Sequence, residues 1–278
     1  MILLADGGST KVDWCLVDHG VLKKRVFTKG ANPFHRTTED ISYEISQSLV
    51  PELKNDIIDA VYFYGAGCAF PEKNELIKSA IADNIDAGTI QIDSDLLGTA
   101  VGLWGDQPGI ACILGTGSNS CFFDGKRIVQ HVSPLGFILG DEGSGAVLGR
   151  LFMGSCLKNQ FSPAIKEAFL KYINLSVAQI LERVYKQSMP SRFMASVCPF
   201  IKENLHEQSI HDLVYNAFED FFRKNVMQYD YKNYQVSFAG SVAFHFQDVL
   251  REVASSLQIE IAEIVQSPMD GLIKHYSK

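Results

Sequence analysis

The sequence lacks a long apolar run, a paired cysteine motif and any excess of basic residues. Asp, Gly or Ser interrupts every apolar stretch well before the ~20 residues of a membrane span, so no span is predicted. Met1–Ala5 is too short and insufficiently basic for a signal peptide, and we expect a cytoplasmic protein. The net charge of −7 argues against nucleic-acid binding, because phosphate backbones attract dense positive charge.

The cysteines exclude two common motifs. None of the six lies at CxxC spacing, so neither a zinc ribbon nor a thioredoxin motif is predicted. Most of them lie in apolar runs, as Cys112 does in the run Gly109–Leu114. Unpaired cysteine is among the most buried residue types, and we therefore predict buried free thiols.

The length and the order of the patterns predict two α/β domains. A chain of 278 residues exceeds the size of one ordinary domain, and apolar strands alternate with helical patterns. Residues 105–109 are rich in Gly and Pro, which favours domains over residues 1–108 and 109–278. Residues 145–231 are mostly helical in pattern, and a helix is predicted from Gly240 to about Leu257.

A repeat indicates that one domain has been duplicated. Ile2–Ser9 and Ala111–Ser118 begin about 109 residues apart, and each is an apolar strand followed by a Gly-rich turn that ends in Gly-Ser. A second apolar strand follows each turn. Such turns expose backbone N–H groups, and one turn from each half could bind a polyphosphate between them. Neither turn is a P-loop, since neither contains GxxxxGK[ST] and neither leads into a helix.

Two charged residues flank the first turn. Asp6 ends the first strand, where its carboxylate could hold Mg²⁺ directly or through water, or could instead cap an Asx-type turn. Lys11 follows the turn and could either neutralise a phosphate oxygen or lie on a solvated strand. The residues alone leave both alternatives open.

Three segments carry a family resemblance that extends over essentially the whole chain. Asp6–Lys11, Leu114–Asn119 and Gly140–Ser144 resemble motifs of the BadF/BadG/BcrA/BcrD ATPase family, and within it the N-acetylglucosamine kinases. The resemblance implies two ribonuclease H-like domains of the actin/hexokinase type with a nucleotide cleft between them. It also implies ATP and Mg²⁺ as cofactors, and a final helix at about 268–278 that packs on the first domain.

The resemblance assigns roles to individual residues. It implies a catalytic Asp95 and adenosine contacts from Gly240 and Ser241, while the metal-binding role of Asp6 follows from its position beside the first turn. The sugar-binding residues that it implies are Asn32, Thr116 and Asp141. The phosphate-binding residues that it implies are Gly7, Gly8, Ser9, Thr10, Lys11, Gly115, Thr116, Gly117 and Ser118.

Each assigned side chain also has a structural alternative. Asp95 would accept the proton of the acceptor hydroxyl, but Asp93 lies two residues away on the same side of an extended segment, and Asp95 could simply cap a helix. Asn32 could be a turn residue, and Asp141 could cap the helix that begins near Gly145. Thr116 and Asn119 are further candidates in the second turn, and His131 and His245 are expected to be structural.

The predicted function is ATP-dependent phosphorylation of an amino sugar. The resemblance implies the 6-hydroxyl as acceptor, and glucosamine, N-acetylglucosamine and N-acetylmuramate remain open as acceptors. The alternatives are an ATPase activator of 2-hydroxyacyl-CoA dehydratases, which would need clustered thiolates for an iron–sulfur cluster, and a non-catalytic sugar sensor. Apolar stripes on the C-terminal helices would permit a homodimer; no nucleic-acid or membrane partner is expected.

Overall fold

Two five-stranded sheets with the same strand order organise the chain. The computed structural model describes residues 1–8, 10–54 and 56–277. The strands are β1 Ile2–Gly7, β2 Lys11–Asp18, β3 Val21–Lys29, β4 Ile58–Gly65, β5 Ala87–Ser94, β6 Gly109–Leu114, β7 Ser118–Phe123, β8 Ile128–Val132, β9 Val236–Ala239 and β10 Ile261–Val265.

Helices connect these strands and cover both sheets. They are α1 Thr38–Glu44, α2 Val50–Leu53, α3 Pro71–Ala82, α4 Asp95–Trp104, α5 Gly136–Leu139, α6 Gly145–Leu157, α7 Pro163–Ile173, α8 Val177–Tyr185, α9 Pro190–Ala195, α10 Cys198–Glu203, α11 Gln208–Lys224, α12 Ser241–His245, α13 Gln247–Ser256 and α14 Met269–His275. A π-helical turn, Ile45–Leu49, joins α1 to α2, and a 3₁₀ turn, Val226–Gln228, follows α11. No helix in the described part of the chain has the length and apolar character that a membrane span requires.

The chain divides into two compact units. The first comprises Met1–Pro108, Phe123–Ile128 and Ser267–Lys278, and the second comprises Gly109–Phe122 and Val129–Gln266. The last helix, α14, therefore belongs to the first unit although it follows the last strand of the second sheet.

The first sheet has the order β3-β2-β1-β4-β5. Strands β1, β2 and β3 form an antiparallel meander, and β4 and β5 then add in parallel to β1. Trp14 and Phe63 pack in the core beside this sheet with their ring centroids 5.6 Å apart. The indole N–H of Trp14 donates to the Thr28 hydroxyl at 3.0 Å, which satisfies a polar group that burial would otherwise leave unpaired.

The second sheet repeats this order as β10-β9-β6-β7-β8. Strand β9 adds in parallel to β6, and β10 adds in parallel to β9. The long helical segment between β8 and β9 covers the sheet, and Phe218, Phe221 and Phe222 of α11 are fully buried there on the apolar face of the helix. The α/β class with two domains of the actin/hexokinase type is thus confirmed.

One predicted helix is wrong in its extent. The helix predicted from Gly240 to about Leu257 is two helices, α12 and α13, with the break at Phe246. The Phe246 side chain is buried in the core of the second unit and its backbone leaves the helical region at the break. Burial of this ring redirects the chain, which apolar periodicity alone does not reveal.

Helix α14 meets α4 at an unusually close crossing. A Cβ atom placed on Gly271 would lie 1.8 Å from the Gly102 carbonyl oxygen, and a Cβ on Gly102 would lie 2.6 Å from the carbonyl oxygen of Pro268. Real Cβ atoms do not approach backbone so closely, so the two helices can pack in this way only because both residues are glycine.

We expect Gly271→Ala to destabilise the first unit by about 1–3 kcal/mol, because the methyl group must push two helix backbones apart. Thermal unfolding followed by circular dichroism would measure the effect. The control is Gly154→Ala in α6, where a Cβ meets nothing within 4 Å and alanine favours the helix. Equal melting temperatures for the two variants would contradict this account of the crossing.

Candidate functional site

The first glycine turn requires glycine because the surrounding backbone and an aromatic ring are close. A Cβ atom on Gly7 would lie 2.7 Å from the edge of the Phe63 ring, and the Gly7 carbonyl accepts the Ala66 amide at 2.7 Å. The Gly8 amide donates to the Lys11 carbonyl at 2.9 Å and closes the turn. The structure thus brings Gly7, Gly8, Thr10 and Lys11 into one β1–β2 hairpin; Ser9 lies outside the described residues.

Three carboxylates gather at the end of β1. Asp6 pairs directly with Asp13 of β2 across the sheet, and Asp95 begins α4. Burial, followed by the negative charges of Asp95 and Asp13, raises the pKa of Asp6 from 3.8 to about 7. Burial likewise raises the pKa of Asp95 to about 6, although the Leu96 amide opposes this shift. The site therefore concentrates negative charge. The hydrogen bond from Ser267 and the charge of Lys11 both lower the pKa of Asp6 and so partly offset this effect.

The structure separates Asp95 from its alternatives. The N-cap of α4 is Ser94, whose hydroxyl accepts the Leu97 amide at 3.2 Å, so Asp95 is not the cap. Asp93 lies within β5, opposite Tyr64, and its carboxylate accepts a hydrogen bond from the Gln91 side chain at 2.7 Å. The charge that acts on Asp6 is that of Asp95. Of Asp93 and Asp95, Asp95 is therefore the residue whose charge raises the pKa of Asp6 beside the first turn.

Lys11 is exposed at the start of β2. Its ammonium group lies 4.6 Å from the centroid of the Phe27 ring, a cation–π contact, and its charge lowers the pKa of Asp6. The lysine therefore contributes positive potential at the first turn while it also packs along the exposed strand β3.

Asn32 shapes a turn between β3 and α1. Its side-chain oxygen accepts the Phe34 amide at 2.9 Å, and its carbonyl accepts the His35 and Arg36 amides. A Cβ on Gly67 would lie 2.7 Å from that side-chain oxygen, so the loop after β4 approaches Asn32 closely. Asn32 is therefore a turn residue, and these hydrogen bonds fix the orientation of its carboxamide.

The second glycine turn is supported from behind by helix α6. The amides of Gly145 and Ala146 donate to the carbonyls of Gly115 and Thr116 at 2.8 and 3.0 Å, respectively. The amides of Thr116 and Gly117 themselves donate to no acceptor in the part of the chain that the structure describes. Adjacent unpaired amides in a glycine turn are the donor arrangement that phosphate oxygens accept.

Asp141 lies directly beside this turn. The Ser118 amide donates to its carboxylate at 3.4 Å, and a Cβ on Gly117 would lie 3.2 Å from it. The N-cap of α6 is Ser144, so Asp141 does not cap that helix. Burial, together with the charge of Glu142, raises the pKa of Asp141 to about 6, although the Ser118 amide opposes this shift.

The turn that is predicted to bind adenosine contacts the second glycine turn. Gly240 has φ +119°, and a Cβ there would lie 2.3 Å from the Leu114 carbonyl oxygen, so only glycine fits. Ser241 follows it at the start of α12 and is exposed. The structure thus brings together Gly115, Thr116, Gly117, Ser118, Asp141, Gly240 and Ser241 within the second unit.

Comparisons with known proteins give a consistent result. Neither the family models nor the curated proteins give a match. Among solved structures, a candidate N-acetylglucosamine kinase from Porphyromonas gingivalis is 46% identical, covers 100% of this chain and 99% of its own, and has a TM-score of 0.94. The chain belongs to the N-acetylglucosamine kinase-like family of sugar kinases.

More distant structures share the fold. A candidate N-acetylglucosamine kinase from Chromobacterium violaceum is 17% identical over 99% of this chain and 98% of its own, with a TM-score of 0.76. A ROK-family glucokinase from Streptomyces griseus, solved with glucose and AMPPNP, is 15% identical over 98% and 97%, with a TM-score of 0.62. Membership of the sugar-kinase family makes the chain a phosphotransferase with an alcohol acceptor, which confirms the predicted enzyme class.

Three site residues escape prediction from the sequence. Asp13 is buried and holds Arg25 through two hydrogen bonds, of 2.9 and 2.5 Å. Ser267 donates from its hydroxyl to the Asp6 carboxylate at 3.3 Å. The pairing register of β1 with β2 could have identified Asp13, because a hairpin that turns after Gly7 places it opposite Asp6. The sequence gives no comparable signal for Ser267, which is 261 residues from Asp6.

The donor set at Asp6 fits a magnesium ion. Its carboxylate is a hard oxygen ligand, and the unbalanced negative charge around it favours a cation. No group of three or more His, Cys, Asp or Glu side chains in the described residues could hold a metal ion. Few protein ligands, with phosphate and water completing the coordination, are the usual environment of Mg²⁺.

The cysteines take no part in these turns. All six are free thiols; five are buried and Cys198 is partly buried, in agreement with the prediction. Burial raises the pKa of Cys156 to about 11 and of Cys15, Cys68, Cys121 and Cys198 to about 12, and it raises the pKa of Cys112 well above the ordinary value. The thiols remain protonated at neutral pH and act as small apolar side chains.

We expect Asp141→Asn to stabilise the protein above about pH 6, because the folded state holds an ionised Asp141 at a cost. The folded pKa, about 6, exceeds the ordinary 3.8, so the wild type loses stability as pH rises between these values and the amide does not. Because Asp141 is partly exposed to solvent, we expect the substitution to increase the free energy of unfolding by about 1 kcal/mol. Melting temperatures of the wild type and the variant, measured from pH 4 to pH 7.5, would show this gain in stability. A difference between the two melting temperatures that stays constant over this range would contradict the prediction.

Proposed function

We propose that this sugar kinase transfers the γ-phosphoryl group of ATP in line to a hydroxyl of an amino sugar, of N-acetylglucosamine or glucosamine type, with Asp95 as the base. The 6-hydroxyl is the acceptor in this proposal. The main support for this proposal is the position of Asp95. It lies at the start of α4, close enough for its charge to raise the pKa of Asp6 beside the first glycine turn. The P. gingivalis relative, 46% identical, supports the amino-sugar class.

Asp95 suits the task of orienting and deprotonating a hydroxyl. An ordinary aspartate is a weak base, and burial shifts the pKa of Asp95 upwards to about 6, which increases its affinity for the proton. The Leu96 amide donates to the carboxylate at 2.9 Å and fixes its orientation. Since phosphoryl transfer needs alignment more than covalent chemistry, a fixed carboxylate at the nucleophile contributes mainly by positioning.

The two glycine turns supply donors for the polyphosphate. The unpaired amides of Thr116 and Gly117, the hydroxyl of Thr10 and the ammonium of Lys11 are the groups that would bind it. Bound Mg²⁺, held by Asp6 directly or through water, would neutralise charge on the phosphate oxygens. Gly240 and Ser241 would contact the adenosine.

Asn32, Asp141 and Thr116 are the proposed sugar ligands. Each carries a group that hydrogen-bonds to hydroxyls, and the turns described above hold the first two in fixed orientations. A raised pKa at Asp141 reflects a carboxylate that water solvates poorly and that sugar hydroxyls can satisfy.

We expect Asp95→Asn to lower kcat by about 10²–10⁴-fold, because the amide cannot accept the hydroxyl proton. A coupled ATP-consumption assay with magnesium, over a panel of hexoses and amino sugars, would measure the loss and identify the acceptor. Asp93→Asn is the matched control, since Asp93 is two residues away and engages Gln91, and it should keep kcat within about tenfold. Turnover that is indifferent to Asp95, or no sugar-dependent turnover in the wild type, would reject the proposal.

We expect Asp6→Asn to raise the magnesium concentration for half-maximal activity by about tenfold or more, because it removes an anionic oxygen ligand. Titration of activity with MgCl₂ at saturating sugar and ATP would measure this concentration. Asp18→Asn, at the opposite end of β2, serves as the control for loss of one surface charge. An unchanged magnesium requirement in the Asp6 variant would exclude Asp6 from the metal site.

A further inference from the structure

The carboxylates of Asp6 and Asp13 have hydrogen-bond partners of different charge. Strand pairing places the two residues directly opposite each other on β1 and β2. Arg25 donates two hydrogen bonds to Asp13, at 2.9 and 2.5 Å, and balances its charge. Ser267 donates one hydrogen bond to Oδ2 of Asp6 at 3.3 Å, and a hydroxyl brings no charge. Two neighbouring carboxylates of one sheet are thus supported in different ways.

Within the described ranges 1–8, 10–54 and 56–277, no cation forms an ion pair with Asp6 and no donor other than the Ser267 hydroxyl bonds to its carboxylate. The Lys11 ammonium acts on Asp6 through its charge, and it lies over the Phe27 ring. An ion-pair partner would cancel the negative charge of the carboxylate. A single hydroxyl orients the carboxylate and leaves its charge to attract a metal ion.

A second hydrogen bond fixes the direction in which the Ser267 hydroxyl donates. The Met269 amide donates to the Ser267 oxygen at 3.3 Å. Because an amide N–H can only donate, the serine oxygen is the acceptor in this bond, and its own proton is left for the Asp6 carboxylate. Donation therefore runs in one direction, from the Met269 amide through the Ser267 hydroxyl to Asp6. A residue without a hydroxyl at position 267 would remove both bonds.

Close packing against α4 holds Ser267 in place. The next residue, Pro268, is buried, and a proline restricts both its own φ and the backbone of the residue before it. A Cβ on Gly102 would lie 2.7 Å from the Cβ of Pro268, so the proline packs directly on α4. Asp95 begins the same helix. The hydroxyl that bonds to Asp6 is therefore fixed relative to the helix that carries the proposed base.

We propose that Ser267 is a positioning residue for the magnesium site at Asp6. Its hydroxyl engages Oδ2 and leaves Oδ1 for the metal ion or for one of its waters, without cancelling the charge that attracts the ion. Partners that orient a ligating carboxylate in this way contribute about 10- to 100-fold to metal affinity. The inference rests on the proposed function, because that proposal assigns the metal ion to Asp6.

The test measures the dissociation constant of ADP by isothermal titration calorimetry, once with EDTA and once with excess MgCl₂. The ratio of the constant without magnesium to the constant with magnesium reports the contribution of the ion. Contacts between the nucleotide and the glycine turns cancel in this ratio, and the measurement needs no turnover. We expect Ser267→Ala to lower the ratio by about tenfold, because the carboxylate of Asp6 loses its orienting donor.

Further variants separate positioning from a structural role. Ser267→Thr keeps the hydroxyl and should retain the wild-type ratio. Ser267→Cys fills the same space with a weak donor and should behave like Ser267→Ala, so the test does not depend on one variant. Ser79→Ala, in α3 of the same unit, is the control for loss of a hydroxyl elsewhere. Magnesium-dependent ADP binding with an unchanged ratio in the alanine and cysteine variants, even at a lower melting temperature, overturns this inference alone.

A double-mutant cycle tests whether Ser267 acts through Asp6. In the Asp6→Asn background, Ser267→Ala should change the ratio by less than about twofold, because the carboxylate that it orients is gone. A further tenfold loss in that background would mean that Ser267 acts on the ion by another route, and would overturn the proposal. A wild type that binds ADP equally well in both buffers overturns this inference together with the metal role of Asp6. A wild type that binds ADP in neither buffer rejects the proposed kinase function itself.

Discussion

The burial of neighbouring carboxylates at the end of β1 is the constraint on which the first unit depends. Asp6, Asp13 and Asp95 meet where burial already disfavours charge, and the pKa of Asp6 rises to about 7 as a result. Ionised Asp6 and Asp95 therefore oppose folding near neutral pH, because the folded state raises the pKa of both carboxyl groups. The fold nevertheless holds them together, with Arg25 on Asp13, the Ser267 hydroxyl on Asp6 and the Leu96 amide on Asp95. Destabilising charge that is supported in this way is typical of a functional site.

In both units, the backbone at certain glycines packs closely against neighbouring groups. These contacts shape the glycine turns and the crossing of α4 with α14. Gly7 must pass the Phe63 ring, Gly240 must pass the Leu114 carbonyl, and Gly271 must pass Gly102. In each case a Cβ would collide with a neighbouring group, so these contacts depend on glycine and not on any side-chain bond. The second turn also takes its shape from α6, whose first amides donate to the turn carbonyls, while the amides of Thr116 and Gly117 have no acceptor in the described part of the chain. Packing of the backbone, more than side-chain chemistry, therefore shapes the turns that are proposed to bind phosphate.

The sequence predicts the parts of the molecule that local pattern and repetition control. The duplicated strand–turn–strand unit indicates a duplicated domain, and the two sheets share one strand order. The roles of individual residues in the first turn rest on resemblance and stay predictions. The break at Phe246 and the contact of Ser267 with Asp6 arise from tertiary packing, across 261 residues in the second case. No local pattern encodes contacts of this kind.

The position of the loop after β4 follows from the same sheet topology that gathers the carboxylates. Because β1, β4 and β5 are parallel, the loops that leave their carboxyl ends meet at one edge of the sheet. The loop after β4 leads to Phe70 and Lys73, and α4 begins with Asp95 where β5 ends. The proposed base therefore lies at the end of one strand, and the loop after the neighbouring strand reaches the same end of the sheet. Strand ends fixed by the sheet can thus position the proposed phosphoryl-transfer residues, while the loops that follow the strands are free to differ in sequence.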